Sequence, residues 1–190
     1  MSIACDARAL VGPSTGVGTW TTNVVGGLAE RGHRVMLASP RPIDLPPRLR
    51  QDGVEVLPGS PAPLPGTLWL HTVLRRQLVR ASAGVFIGSL AVIPRRCPVP
   101  SVAVVHDLTP RTHPTRHTLA NRFCFNAYLE SSVDDADAVV TVSQATAEAL
   151  AEVYPSVRAK LVVIRNGVDD TFAPRPDDEA GAVRERFSGG

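Results

Sequence analysis

Short apolar runs recur along the chain, and the clearest of them is continuous rather than alternating. Val102, Ala103, Val104 and Val105 follow one another with no polar residue between them. A strand exposed on one face alternates apolar and polar side chains, so this run predicts a strand covered on both faces. Similar runs predict strands at residues 2–6, 33–39, 54–57, 84–88, 102–106 and 137–143, with a last strand and its exit loop at 160–169. Between them the apolar positions take helical spacing. Val24, Val25 and Leu28 give a helix over 19–32 its inward face, and Gly32 closes it. Residues 67–81, about 115–135 and 144–154 read as three further helices.

Strands that alternate with helices in this way predict an α/β fold: a Rossmann-like parallel sheet with helices on both faces. Such a sheet gathers ligands outside the carboxyl ends of its strands. The strand ends here are polar or glycine-rich: residues 12–18, Gly88-Ser89, His106-Asp107, Ser143 and Asn166-Gly167. All of them are expected to face one crevice. Two connections look flexible, the proline-bearing stretch with Pro40, Pro42, Pro46 and Pro47, and residues 60–66. After Phe172 the chain turns polar, so 1–172 is expected to form one domain and 173–190 a linker.

Composition narrows the function. The 190 residues are 44% hydrophobic with a formal charge of +2, which suits one soluble domain. Of the 20 basic residues only Lys160 is lysine, and 18 acidic residues offset them. With aromatics at only 5% and no basic cluster longer than two, nucleic-acid binding is not expected. Cys5, Cys97 and Cys124 lie far apart, as in a reducing cytoplasm. The amino terminus carries no signal-peptide pattern, and no apolar run reaches the roughly 20 residues of a membrane span.

The motifs divide into weak and stronger signals. "GVG" at Gly16, Val17 and Gly18 lies between a strand and a helix, where glycines let an anion approach free amides. A turn needing positive φ is the competing explanation. As a dinucleotide fingerprint it fails, because Thr21 occupies the third glycine position and the second strand ends at Ser39 without an acidic residue. His106, His113 and His117 invite a metal reading, but Pro114 interrupts the last pair and only Asp107 completes the set, so no metal is expected. Ser143 reads as a helix cap, without the G-x-S-x-G elbow of a nucleophile. In 67–81 an apolar face of Leu68, Trp69, Leu70, Val73, Leu74 and Leu78 adjoins Arg75, Arg76 and Arg80. That pattern fits a core helix with a solvated arginine face, and less well a helix lying on an anionic membrane.

Four segments in order resemble glycosyltransferase family 4, and its bacterial cell-envelope mannosyltransferase-like members most. They are "TGVGTWTTNVVGGLAERGHRV", "VVHDLTPRTHP", "DADAVVTVSQATAEAL" and "VVIRNGVDDTFAP". The resemblance implies half of a GT-B architecture, in which two Rossmann-like domains enclose the active site. It implies a retaining hexosyltransferase that needs no metal or other cofactor and uses a UDP- or GDP-hexose, with a glycan or lipid-linked acceptor. This half would be the amino-terminal, acceptor-side domain, in the cytoplasm or peripheral at the inner membrane face. Carried over, His106 would touch the donor sugar and Asp107 would support that strand end, pinning the next turn through Thr109 or a backbone amide. Gly16, Val17 and Gly18 would lie near the diphosphate or acceptor. Ser143, Arg165, Asn166 and Gly167 would complete the site, with the stretch to Asp169 closing toward the hinge.

The family's donor half carries an E-x7-E pair and a basic diphosphate grip. No two glutamates here have that spacing, and the chain ends at Gly190. Charge developing on a leaving diphosphate needs fixed positive donors. The chain alone is therefore expected to be inactive. Two rivals stand beside this reading: a non-catalytic half that pairs with a separate donor-domain chain, and a nicotinamide-binding oxidoreductase domain. For His106 the alternative role is structural, a bond from the ring to a neighbouring loop.

Overall fold

The computed structural model describes residues 1–60, 64–108, 128–168, 172–173, 181 and 185–187. Seven strands carry the architecture: β1 (Ser2–Asp6), β2 (Arg34–Ala38), β3 (Val54–Val56), β4 (Val85–Gly88), β5 (Ser101–Val105), β6 (Ala138–Thr141) and β7 (Leu161–Val163). They form one sheet in the order β3-β2-β1-β4-β5-β6-β7, every pairing parallel. The chain first winds outward from β1 to β3, then returns across the sheet to β4 and winds the other way. That reversal opens a crevice beside the carboxyl ends of β1 and β4.

Period-two alternation sorts the strand residues onto two faces. Ala4, Met36, Phe86, Ala103, Val105 and Val139 belong to one core. Its helical cover is α2 (Gly66–Trp69, a π-helical stretch Leu70–Leu74, and Arg75–Arg80), α3 over 128–135, and α4 (Gln144–Val153). Trp69, Leu70, Leu74, Leu78, Leu129, Val133 and Leu150 pack into that layer. Cys5, Val35 and Leu37 belong to the opposite core, beneath Val25 and Ala29 of α1 (Gly16–Glu30). Right-handed crossovers oblige this split, because helices that follow opposite winding directions land on opposite faces.

The strands fall within a residue or two of their sequence-predicted positions, and two helices differ instructively. α1 begins at Gly16 rather than residue 19, because the Thr15 side chain accepts from the Gly18 amide and caps the helix earlier. Residues 16–18 are thus the first turn of a helix and not a loop. In 67–81 the apolar face is narrower than expected: Leu68 is exposed while Trp69, Leu70, Leu74 and Leu78 are buried. Of the helix expected at about 115–135 only 128–135 lies among the described residues, and most of the expected linker 173–190 lies outside them.

Gly88 ends β4 where the following loop folds back on the sheet. A Cβ there would sit 2.6 Å from the Val92 carbonyl oxygen and 2.9 Å from Ile93 Cγ2. Backbone cannot retreat as a flexible side chain does, so Gly88→Ala is expected to destabilise the fold by about 1–3 kcal/mol. Urea unfolding followed by far-UV circular dichroism checks this, and an unchanged midpoint would contradict the packing described.

Candidate functional site

The crevice is built upward from Asp6. β1 delivers this carboxylate to its last, fully buried position. A buried charge is tolerated only when paired and hydrogen-bonded, and Arg8 supplies both. Its backbone amide and Nε donate to Oδ1 at 3.1 and 2.9 Å, and Nε and NH2 donate to Oδ2 at 3.1 and 2.7 Å. Burial works against the Arg8 charge, but the carboxylate and its hydrogen bond more than offset it and hold the guanidinium above its usual range.

This ion pair fixes the short turn Arg8–Leu10, on which the first turn of α1 rests. Gly18 is buried there, and a Cβ on it would lie 2.8 Å from the Ala9 carbonyl oxygen. Neither Gly16 nor Gly18 has positive φ, so the turn explanation for these glycines does not hold. Close approach is what position 18 requires, whereas Gly16 has nothing within 4 Å of a Cβ. Thr21 is buried and donates to the Val17 carbonyl at 2.8 Å, which accounts for a hydroxyl where a dinucleotide site has glycine.

Trp20, two residues beyond that seat, meets His106 edge to face, with ring centroids 5.0 Å apart and planes at 85°. His106 leaves the end of β5 half-buried, with Nε2 3.0 Å from the Ser89 carbonyl oxygen. A carbonyl only accepts, so Nε2 carries the proton and Nδ1 keeps its lone pair. Burial lowers the pKa of the ring, against smaller opposing effects of the Ser89 carbonyl and Asp107. The ring is therefore neutral near pH 7. Ser89 is itself buried, and its hydroxyl donates to the Asp6 main-chain oxygen at 2.7 Å. From the other side Thr146 Oγ1 donates to the His106 carbonyl at 3.4 Å, and Ser143 Oγ accepts from the Thr146 amide at 3.1 Å as the cap of α4.

A cavity of about 670 Å³ runs from this crevice down the α1 face of the sheet. Gly16, Trp20, Arg165, Asn166 and Gly167 line its upper part, and Val102, Val104 and Val140 lie among its apolar lining. The structure thus brings two groups of expected residues to a common neighbour, Trp20: His106 on one side, and Gly16 with Arg165–Gly167 on the other. Val17 and Gly18 serve α1 itself through Val17 O and the capped Gly18 amide. Asp107 is exposed, and Thr109 lies outside the described residues, as do His113, His117, Cys124 and Asp169. Among the described residues no group of three His, Cys, Asp or Glu side chains is placed to hold a metal, and no helix is long and apolar enough to cross a membrane.

Sequence reasoning missed Asp6, Arg8 and Thr146, and treated Ser89 only as a polar strand end. Asp6 carries the same signal as His106, a titratable residue closing an apolar strand. Thr146 gives no such signal, because its role exists only once α4 lies beside β5.

The family model for glycosyltransferase family 4 matches residues 14–172. No curated relative matches the chain in sequence. Among solved structures, a glycosyltransferase from Rickettsia africae aligns with TM-score 0.57 and 17% identity over 100% of this chain and 50% of its own. HepE of Anabaena, solved with UDP and glucose, aligns with TM-score 0.63 and 18% identity over 97% of this chain and 50% of its own. WaaG, a glycosyltransferase of lipopolysaccharide biosynthesis, aligns with TM-score 0.64 and 10% identity over 99% of this chain and 51% of its own. The chain spans about half the length of these structures, and the likeness establishes the fold, one half of a GT-B architecture.

His106 and His71 both resist protonation in the folded chain. For His71 the causes are burial first, then the charges of Arg95, Arg8 and Arg75. The unfolded chain takes up these protons near pH 6.5, where the folded chain refuses them, so stability is full above that value and falls as the pH drops below it. Urea midpoints are expected to be lower at pH 5.5 than at pH 7.5, and a His71→Gln, His106→Gln double variant is expected to narrow the gap. A gap that stays as wide in the double variant would contradict the burial described.

Proposed function

The chain belongs to glycosyltransferase family 4, and on that premise we propose that it is the acceptor-side half of a retaining enzyme. The enzyme moves a hexose from a UDP- or GDP-sugar to a glycan or lipid-linked acceptor. The domain ends near residue 172, and 173–190 leads toward the donor-binding half. The observation that carries this reading is the anchored, neutral His106 at the carboxyl rim of the sheet, beside a cavity that also holds the first turn of α1. Family membership sets the nicotinamide reading aside.

In a retaining transfer the donor ring passes through an oxocarbenium-like state, and hydroxyl contacts that tighten there contribute several kcal/mol. His106 suits such a contact. With Nε2–H committed to Ser89, Nδ1 accepts a hydrogen bond from a sugar hydroxyl and brings no positive charge beside a cationic ring. The leaving diphosphate needs donors and positive charge. The amide of Gly18 is taken by Thr15, and that of Thr19 by the Thr15 carbonyl. Gly16 and Val17 offer the remaining amides of the α1 first turn, at the positive end of the helix dipole. Arg165 stands exposed at the cavity rim with Asn166 and Gly167, and in this reading it meets the donor from the opposite side. Asp107 supports the strand end, and Ser143 acts through Thr146. This is too little positive charge to stabilise a departing diphosphate, so the half is inactive by itself.

A cytoplasmic location with peripheral contact at the inner membrane face completes the proposal. Most of the apolar side of α2 packs into the core, with Leu68 and Val79 left exposed, so the contact is mainly electrostatic. Arg75, Arg76 and Arg80 line a depression of about 530 Å³ with His71, Thr72 and Val79. Each arginine near an anionic leaflet contributes about 1 kcal/mol.

Three experiments test these statements. The isolated chain is expected to transfer no sugar, whereas joined to its donor half it turns over, and His106→Ala lowers turnover by about 10²-fold or more with the fold intact. Normal turnover in that variant, or micromolar affinity of the isolated chain for UDP- or GDP-sugars by calorimetry, would contradict the assignment. In co-sedimentation, vesicles containing phosphatidylglycerol are expected to retain the chain and phosphatidylcholine vesicles to release it. Arg75→Glu, Arg76→Glu and Arg80→Glu together are expected to abolish retention, and retention that persists would remove α2 from the contact.

A further inference from the structure

The contacts around the crevice close on themselves. Asp6 holds Arg8, the Arg8–Leu10 turn seats Gly18, and α1 carries Trp20 against His106. His106 bonds the Ser89 carbonyl, and the Ser89 hydroxyl returns to the Asp6 carbonyl. We infer that Trp20 is a positioning residue for His106: the indole and the Ser89 carbonyl together hold the imidazole as the Nε2–H tautomer, so that the seat of α1 sets the attitude of the ring.

Three observations carry this. Among the described residues the ring nitrogens make one hydrogen bond, from Nε2 to the Ser89 carbonyl, and a single bond leaves rotation about its axis open. Trp20 closes that freedom with an edge-to-face contact, a geometry that is worth forming only in a narrow range of ring angles. Trp20 is in turn fixed two residues after a glycine that cannot shift, because Gly18 already rests on backbone. Among the described residues, no other side chain is in ring or hydrogen-bond contact with the imidazole. Thr146 bonds the His106 main chain from α4, and Asp107 follows it in sequence as the charged neighbour. A part for Trp20 in transfer rests on the role proposed for His106, whereas the positioning itself does not.

The test separates the two. In the full 190-residue chain labelled with 15N-histidine, long-range 1H–15N correlation is expected to show His106 with a protonated Nε2 and a bare Nδ1. Trp20→Leu is expected to admit the Nδ1–H tautomer and to move the pKa of His106 up toward that of free histidine. Trp20→Phe, which keeps an aromatic edge, is expected to restore both. In the enzyme joined to its donor half, Trp20→Leu is expected to lower kcat at least tenfold with KM little changed, again recovered by Trp20→Phe. A readout without a Trp20 variant guards against misfolding. Imidazolium quenches indole, so tryptophan emission is expected to fall as His106 protonates, and that step is expected to vanish in His106→Gln but persist in His71→Gln. An Nδ1–H tautomer in the unaltered chain, His106 unaffected by Trp20→Leu, or the quenching step persisting in His106→Gln would each overturn the inference. If the tautomer shifts as stated while turnover stays normal, positioning stands and the role proposed for His106 fails.

Discussion

A carboxylate with no exposure to solvent lies at the centre of the molecule, where the strand order reverses. Ionised and alone it would not survive there, since removing the partner of a buried charge costs about 3–5 kcal/mol. The chain answers within two residues: Arg8 folds back so that its amide and guanidinium satisfy both oxygens of Asp6. That local solution dictates the turn after β1, and the turn dictates where α1 begins. Gly18 then has to lack a side chain because the Ala9 carbonyl occupies the space. The amino end of α1, and with it Trp20, stands where it does because a buried aspartate needs a partner.

The sheet converts this local arrangement into a crevice. Parallel pairing aligns the carboxyl ends, so Ile87 lies beside Cys5, Ala103 beside Gly88 and Thr141 beside Val105. The residues that follow these strands meet as a consequence. Ser89 reaches Asp6 and receives His106, and the cap of α4 places Thr146 on the His106 backbone. None of these polar groups is left unpaired, which is what a half-buried rim requires. Among the described residues Nδ1 of the imidazole meets no partner.

Among the described residues the two faces of the sheet are built unequally. One is packed by α2, α3 and α4, and its core runs from Ala4 to Val157. The other has a smaller core under α1, and beyond it the cavity opens over Val102, Val104 and Val140, with Val162 and Ile164 exposed. The chain aligns along about half of each solved glycosyltransferase it resembles.

What the sequence determined alone was whatever depends on local pattern. Continuous valine runs marked the buried strands, helical spacing marked α1, α2 and α4, and the polar residues after each strand marked the rim. The cap at Ser143 was legible because it needs only the three residues that follow it. The start of α1 was not, since Thr15 and two glycines admit a loop as readily as a capped first turn until Ala9 is in place. Tertiary structure alone decided that Ser89, 17 residues from His106, fixes its tautomer, and that Trp20 stands across from the ring. It also decided that Thr146, 40 residues away, bonds its carbonyl. Such pairings join chain segments with no sequence relation to one another. They are set by strand order and register, which fix distances that no local propensity encodes.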